Sequence, residues 1–246
     1  MSSGRPDYGI DAPGVIRNLF LFGVGLPILG WFVPSLHIGP VIFMTRPMFY
    51  TTGLLCLVEG VLMLLYVKYG KFRHRDRMLS MVNWKGDESV LDVGTGRGLL
   101  AIGAAKRLRS GKAVGIDIWS TKDLSGNAME KTLHNADLEG VGEKVDIKSG
   151  DATAMKFPDE SFDVVLSNLC LHNIPSREGR DKACREILRV LKPGGKAVIS
   201  DFIKTGDYVK AFEAEGARTS RTAMDFVFTF PPLRIVEVEK RKRNER

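Results

Sequence analysis

The sequence predicts an α/β fold in which a mostly parallel sheet of seven strands follows two apolar segments of membrane-spanning length. Three observations support this prediction. From about residue 78 onward strand-like and helical patterns alternate, a glycine-rich turn joins the first strand of that region to its first helix, and the longest apolar runs all precede it. Strands that alternate with helices form parallel sheets covered by helices. We therefore expect an N-terminal anchoring segment over residues 1–77 and a catalytic or binding domain over residues 78–246.

The apolar residues are concentrated near the N-terminus, although the mean hydropathy of the 246-residue chain is close to zero. Residues 19–34 read LFLFGVGLPILGWFVP, and residues 49–67 read FYTTGLLCLVEGVLMLLYV with Glu59 as the only charge. A helix needs about 20 apolar residues to cross a bilayer. We predict transmembrane helices over about 16–44 and 49–67. The alternative is a re-entrant or surface-lying segment, and whether the first helix spans fully stays open. A signal peptide is not favoured, because no clear cleavage site of small residues follows the first apolar segment.

Basic residues set the expected orientation of these helices. One basic residue, Arg46, lies between the apolar segments, whereas five follow the second one: Lys68, Lys71, Arg73, Arg75 and Arg77. The positive-inside rule then places everything after residue 67 in the cytoplasm, which makes this a multi-pass membrane protein. The same cluster is suited to anionic lipid headgroups. We expect no nucleic-acid partner, because basic and aromatic residues are not interleaved, and no metal, because the three cysteines lack ligand spacing.

The first elements after the anchor follow a strand–helix rhythm. We predict a short helix over 78–84, a strand over 89–93, a helix over 99–109, a strand over 113–118, a helix over 127–139 and a strand over 145–149. The strands are short apolar or alternating runs, and the helices repeat their apolar residues at helical spacing.

The second half of the domain continues this rhythm and then changes it. The run FDVVLS at 162–167 is continuous, as in a strand buried on both faces. A helix over 177–191 ends at Pro193-Gly194-Gly195, and a strand over 196–201 and a helix over 208–215 follow. The last two strands, over 222–230 and 234–240, are separated only by Pro231-Pro232. We therefore expect them to form an antiparallel pair at the edge of the sheet.

The turn after the first strand reads Asp92-x-Gly94-x-Gly96-x-Gly98. Glycines let the backbone turn sharply and let a ligand approach the main chain. A dinucleotide-binding turn has the spacing G-x-G-x-x-G, and here the third glycine comes one residue early. Asp117 ends the second strand about 25 residues after Asp92, where a carboxylate can accept the two hydroxyls of a ribose. The pattern therefore favours a nucleoside-containing ligand other than a dinucleotide.

These segments resemble the class I S-adenosylmethionine (SAM)-dependent methyltransferases, most closely the small type 11 group. The glycine turn resembles their motif I, (D/E)-x-G-x-G-x-G. Residues 150–163, with Gly150-Asp151-Ala152 followed by FPDESFD, resemble a second motif, and Leu191-Lys-Pro-Gly-Gly195 a third. The resemblance covers about residues 80–240. It implies the Rossmann-like class I fold, a sheet with an antiparallel edge, and SAM as the cofactor.

The resemblance also implies which residues hold SAM. They are Asp92, Gly94, Thr95, Gly96, Gly98, Asp117, Ile118, Trp119, Asp151, Ala152 and Asn168. In the family the Asp of the second motif contacts the adenine amine, and the residue after it lines the adenine pocket. Trp119 either stacks on adenine or caps the pocket. The loop at 118–127 is longer than usual for the family, and it either covers the cofactor or reaches the membrane.

The candidate catalytic residues lie after the fourth strand. Methyl transfer from a sulfonium is mostly a matter of positioning, and a base is needed only when the acceptor keeps its proton. His172 is the candidate base because an imidazole titrates near neutrality, and Asn168 and Asn173 are placed to orient an acceptor. The alternative is that His172 only caps a turn or contacts the ribose. An Asn-Pro-Pro-Tyr signature, typical of amino methylation, is absent from the sequence.

The tether suggests the acceptor class. A membrane anchor beside a small catalytic domain favours a lipid, a quinone or another hydrophobic small molecule. Three alternatives stay open: methylation of a soluble metabolite, a tethered SAM-binding regulatory module without turnover, and a soluble protein with an apolar partner-binding arm. The sequence does not indicate the acceptor atom or the oligomeric state.

Overall fold

The N-terminal region is a helical hairpin with a short β-turn at its tip. The structure, a computed structural model, describes residues 4–33 and 35–242. Helix α1 spans Pro13–Phe32 with Pro27 inside it. Strands β1 (Leu36–Ile38) and β2 (Val41–Phe43) pair antiparallel around Gly39, which has φ +57°. The predicted continuation of the first helix to residue 44 is therefore wrong, because this glycine turn reverses the chain.

The second helix of the hairpin runs without a break into the next domain. Helix α2 (Thr45–Leu65) continues through a π-helical turn at Tyr66–Gly70 into α3 (Lys71–Ser80). The separate helix predicted over 78–84 is wrong, because residues up to Ser80 continue the apolar helix and the chain then turns. The predicted domain boundary after residue 77 falls inside α3. Single π-helical turns occur frequently at functional sites.

Glycines form the contact between α1 and α2. A Cβ atom on Gly53 would lie 2.5 Å from Cδ of Pro27, and one on Gly23 would lie 2.6 Å from the Leu57 side chain. Gly30 and Gly60 meet Phe49 and Phe20 in the same way. Close backbone approach through small residues is typical of helix pairs in membranes.

The outer surface of the hairpin is apolar. Its exposed large side chains include Leu21, Phe22, Val24, Ile28, Trp31, Phe32, Leu54, Leu55, Val58, Val61, Leu64 and Leu65. Both helices are long and apolar enough to cross a bilayer by length and composition, and little of either is buried. The hairpin therefore has small residues inside and large apolar residues outside, the reverse of a helix in a soluble core.

The remaining strands form one seven-stranded sheet. They are β3 (Ser89–Val93), β4 (Lys112–Asp117), β5 (Val145–Ser149), β6 (Phe162–Asn168), β7 (Leu191–Asp201), β8 (Arg218–Arg221) and β9 (Arg234–Glu239). Their order is β5-β4-β3-β6-β7-β9-β8. The first five are parallel, and β9 is antiparallel to both β7 and β8. The α/β class and the antiparallel edge are confirmed.

One predicted strand lies elsewhere. Residues 222–230 form a loop, and the strand precedes them at β8. The loop forms because Oδ1 of Asp225 accepts hydrogen bonds from the backbone N–H groups of Val227 and Phe228, which curls the chain instead of extending it. Side-chain bonds of this kind compete with the pairing of a strand.

Helices cover both faces of the sheet. They are α4 (Leu99–Ala105), α5 (Met129–Leu138), α6 (Arg177–Val190) and α7 (Thr205–Ala214). Neighbouring residues of β3 alternate between the two layers: Leu91 belongs to the same buried cluster as Ile187, and Val90 belongs to the other cluster with Leu100. Met78 and Leu79 of α3 are fully buried in the second layer. The helix that begins in the hairpin is thus part of the core of the domain.

Candidate functional site

The glycine turn after β3 requires glycine at three positions. Gly94, Gly96 and Gly98 have φ values of +74°, +54° and +86°, a region that side chains other than glycine rarely adopt. A Cβ atom on Gly94 would lie 2.5 Å from Cβ of Cys170, which follows β6. The N–H groups of Gly94 and Thr95 both donate to the carbonyl of Ile116 in β4. The turn is therefore packed directly between the ends of three strands.

Asp92 lies beneath this turn. Its Oδ2 accepts hydrogen bonds from Oγ1 of Thr95 at 2.8 Å and from the backbone N–H of Ala101 at 2.9 Å. The second bond satisfies one of the free N–H groups at the start of α4. Burial raises the pKa of Asp92 to about 7. The structure thus places Asp92 where it holds the turn and the helix in register.

Asp117 joins the glycine turn to the long loop after β4. Its Oδ2 accepts from the N–H of Gly96 at 2.8 Å, and its Oδ1 accepts from the N–H of Trp119 at 2.7 Å. The amide of Asn127 also donates to Oδ1. Ile118, directly after Asp117, is exposed. These contacts fix the carboxylate at the end of β4, and its role in ribose binding stays a prediction.

Trp119 lies at the side of the site where adenine is predicted to bind. Its indole N–H donates to Oγ of Ser149 at 2.9 Å, so the ring spans the ends of β4 and β5. Oδ1 of Asp151 accepts from both the N–H and the hydroxyl of Thr153, which leaves its other oxygen for a ligand. Ala152 is half-buried beside it. Both predicted roles for Trp119, stacking on adenine and capping the pocket, stay predictions.

His172 lies against a fully buried carboxylate. Its Nδ1 is 2.8 Å from Oδ1 of Asp201, at the end of β7, although the contact is off the line of a hydrogen bond. Asp201 also accepts from the His172 backbone N–H at 3.1 Å, from the Tyr208 hydroxyl at 3.0 Å and from the Phe202 N–H at 2.9 Å. The Phe202 ring packs edge-on against the imidazole. The imidazole is therefore fixed on one side and partly exposed on the other.

Asn168 ends β6 between the cofactor residues and the hairpin helix. Its Oδ1 is buried and makes no hydrogen bond within the part of the chain that the structure describes. The Tyr66 phenol, at the π-helical turn, lies beside the Asn168 amide. A buried amide oxygen without a partner costs free energy unless a ligand satisfies it. The wall of the site thus includes a residue of the hairpin helix.

Residues 7–12, which we call the N-terminal strap, hold down the long loop. The strap and loop exchange backbone hydrogen bonds from Ala12 N–H to Asp123 and from Ser125 N–H to Ile10. The buried Lys71 ammonium donates to the carbonyls of Tyr8 and Gly9.

The strap also contacts the glycine turn. Asp7 pairs with Arg97, which stands between Gly96 and Gly98. The loop therefore contacts the segment that leads directly into α1, so it adjoins both the cofactor side of the site and the hairpin.

Several of these residues were not predicted from sequence. Asp201 ends a predicted strand and would have been found by the rule that selected Asp117. Tyr66, Lys71 and Arg97 gave no such signal, because their roles depend on contacts between segments far apart in the chain. Lys71 was instead expected to be available to lipid headgroups, and its burial against the strap shows that this expectation is wrong.

The residues present fit SAM. Gly94 and Gly96 are partly exposed in the turn, Asp117 stands at the end of β4 where the ribose is predicted, and Asp151 keeps one carboxylate oxygen unused by Thr153. All lie at the carboxyl ends of parallel strands, where ligands of such sheets bind.

Comparison with known proteins agrees with this geometry. Residues 91–199 match the type 11 methyltransferase domain family. The chain is 33% identical over 132 residues to an uncharacterized protein of Haemophilus influenzae, covering 54% of this chain and 49% of that protein. It is 35% identical over 120 residues to the sterol 4-C-methyltransferase strm-1 of Caenorhabditis elegans, covering 49% and 33%. It is 32% identical over 126 residues to the demethylmenaquinone methyltransferase of Lactobacillus johnsonii, covering 51% and 48%. The chain spans half or less of the length of these relatives.

Solved structures share the fold at low identity. The YcgJ protein of Bacillus subtilis superposes with a TM-score of 0.57 at 17% identity, covering 68% of this chain and 98% of that one. A SAM-dependent methyltransferase of Methanosarcina mazei gives 0.55 at 18% identity, covering 65% and 96%. The cyclase SpnF gives 0.56 at 17% identity, covering 95% and 99%. Residues 91–199 thus match a methyltransferase domain family and share the fold of SAM-dependent methyltransferases, and this family match and fold imply S-adenosylmethionine as the cofactor.

Proposed function

We propose that this protein transfers a methyl group from SAM to a hydrophobic acceptor, such as a lipid or a quinone, that reaches the site from a membrane. The observation that carries the proposal is the continuous helix Thr45–Ser80. It begins in a hairpin with an apolar outer surface and continues into the wall of the site, where Tyr66 lies beside Asn168. An acceptor held in the bilayer would therefore have a short path to the reacting atoms.

The hairpin is proposed to cross the membrane with the methyltransferase domain in the cytoplasm. The apolar exterior, the glycine contacts at Gly23 and Gly53, and the basic residues after α2 support this arrangement. A re-entrant hairpin would share the first two features. Glu59 lies within α2 and is half-buried. We interpret it as a residue that packs within the hairpin.

When bound, SAM supplies an electrophilic methyl group on a sulfonium. The residues of the chain then have two tasks, positioning and removal of a proton. The Gly94–Gly98 turn and Asp117 fix the cofactor side. His172 takes the acceptor proton: its Nδ1 faces Asp201, so Nε2 is the ring nitrogen left to accept the proton. Asp201 acts as a positioning residue, since it holds the ring and stabilises its protonated form.

Two relatives support the acceptor class by their names. The Caenorhabditis elegans protein is named for a sterol and the Lactobacillus johnsonii protein for demethylmenaquinone, both hydrophobic molecules. A fold does not by itself determine a reaction, as the cyclase SpnF illustrates. The competing functions are therefore methylation of a soluble metabolite and SAM binding without turnover.

The decisive experiment uses the purified full-length protein with methyl-labelled SAM and, separately, membrane and soluble extracts. The proposal predicts label in an organic-phase product of the membrane extract. Label only in water-soluble products would support the metabolite alternative, and SAM binding without any labelled product would support the regulatory one. Carbonate extraction of membranes tests the anchor, because an integral hairpin stays in the pellet and a partner-binding arm does not.

A further inference from the structure

We propose that the loop after β8 makes a second membrane contact, in which Phe226 and Val227 enter the interfacial layer of a phospholipid bilayer beside the hairpin. The inference rests on the membrane anchoring proposed above. The segment Phe226-Val227-Phe228, which we call the apolar loop, is exposed by 74%, 80% and 45%. Three adjacent large apolar side chains with this exposure mark a surface that contacts a partner or a membrane.

The apolar loop is held in a fixed shape. Oδ1 of Asp225 accepts from the N–H groups of Val227 at 3.0 Å and Phe228 at 2.9 Å. Oδ2 of the same carboxylate pairs with Arg77 of α3 at 3.0 Å. The loop is therefore tied to the helix that continues the hairpin, and its apolar side chains project although the backbone is well bonded.

The loop lies at the depth expected of the bilayer surface. A Cβ atom on Gly70 would overlap the Phe228 carbonyl, and the Arg73 guanidinium carbon is 4.8 Å from the centre of the Phe228 ring. Gly70 follows Leu65, the last residue of α2, by five positions, or about 7–8 Å along a helix at 1.5 Å per residue. Apolar faces of interfacial segments insert by about 5–10 Å, so this offset matches the headgroup layer.

The charges around the loop favour a phospholipid surface. Lys68, Arg73 and Arg77 are exposed on the same helical segment, and the Lys68 ammonium lies 5.3 Å from the centre of the exposed Tyr69 ring. Aromatic and basic residues together are typical of the membrane–water interface, and basic residues attract anionic lipids. A second copy of this chain would present the same positive surface and be repelled.

This contact would face the site toward the bilayer. Strand β9 is antiparallel to β7, and Arg234 at its start pairs with Asp201 at the end of β7. The loop before β9 therefore emerges at the same edge of the sheet as Asp201 and His172. The hairpin and the docked apolar loop would together attach the domain to the bilayer at two places. The side of the domain that carries Asp201 and His172 would then face the lipid.

The test places an environment-sensitive fluorophore at Val227→Cys in the full-length protein. This variant and its matched control also carry Cys56→Ala, since Cys56 lies half-buried in the hairpin. The Cys56→Ala protein without an introduced cysteine is treated in the same way and shows how far the fluorophore reacts with the remaining thiols. The matched control is Ser110→Cys, an exposed site just before β4 at the opposite edge of the sheet. The proteins are reconstituted in phosphatidylcholine–phosphatidylglycerol vesicles, and quenching by a nitroxide-labelled phospholipid is measured after flotation.

We expect the label at position 227 to be quenched severalfold more than the label at position 110. Equal quenching in protein that floats with the vesicles would overturn the docking of the apolar loop and leave the hairpin anchor standing. Protein that does not float would refute the anchor itself. The two failures are thus separated by the same experiment.

Discussion

Replacement of Gly94 by alanine tests whether the glycine turn is shaped by close packing as well as by backbone conformation. At φ +74°, alanine costs about 1–2 kcal/mol. The new Cβ would also lie 2.5 Å from Cβ of Cys170, and because that atom adjoins the backbone, relief requires the loop after β6 to move. Overpacking of this kind costs about 1–3 kcal/mol.

If both costs fall on the SAM-bound state, the free energy of SAM binding becomes weaker by about 2–5 kcal/mol. At about 1.4 kcal/mol per factor of ten, SAM affinity would fall by roughly thirtyfold to a few thousandfold. Isothermal titration calorimetry of the purified protein in detergent measures it. Adding Cys170→Gly leaves only Cα of residue 170, at 3.7 Å, so the double variant should regain the packing part of the loss.

The control is Gly216→Ala, at φ +81° with nothing within 4 Å of its added Cβ. It carries the backbone strain without a clash, so it should lower stability by about 1–2 kcal/mol and leave SAM affinity unchanged. Close packing at Gly94 would be excluded if Gly94→Ala bound SAM within twofold of the wild type, or if Cys170→Gly restored none of the lost affinity.

Three further predictions concern the base, a buried histidine and the hairpin. His172→Ala should lower kcat by about 10²–10⁴-fold and Asp201→Asn by less, and both variants should keep their SAM affinity. An unchanged kcat in His172→Ala, measured beside Asn173→Ala, would exclude His172 as the base. Burial lowers the pKa of His74 to about 4, so the contribution of this residue to stability is full above pH 6.5 and falls as the pH drops toward 4. His74→Gln should remove up to about 3 kcal/mol of this acid-induced loss of stability. Melting temperatures of the variant and the wild type that fall equally with pH would contradict this prediction. Gly53→Leu should separate α1 from α2 and lower the melting temperature in detergent, whereas an unchanged temperature would argue against the glycine contact.

The strands of the sheet could be predicted from the sequence where burial alone determines the structure. The strand over 145–149 has the predicted bounds because its alternating residues meet one buried face, and the strand beginning at Phe162 because its run is continuously apolar. The prediction of a strand over 222–230 is wrong because a single side chain, Asp225, accepts a hydrogen bond from the backbone of its own loop and curls the chain. The lead-in helix failed because the helix carrying Met78 begins far earlier, at Thr45.

The site was predictable where residues stand at strand ends. Asp117 and His172 were selected by that rule and their roles stay predictions, and Asp201 satisfies the rule as well. Tyr66 and Lys71 were beyond it, since nothing near them in the sequence reports that they meet Asn168 and the N-terminal strap. Long-range packing places them.

Surface dilution tests whether the acceptor is reached from within the bilayer. A fixed amount of membrane lipid extract is reconstituted with the full-length protein and increasing phosphatidylcholine, and transfer of label from methyl-labelled SAM into the organic phase is followed. We expect the rate to fall as the extract is diluted within the bilayer at constant bulk concentration. A rate that depends on bulk concentration alone, or label confined to water-soluble product, would contradict it.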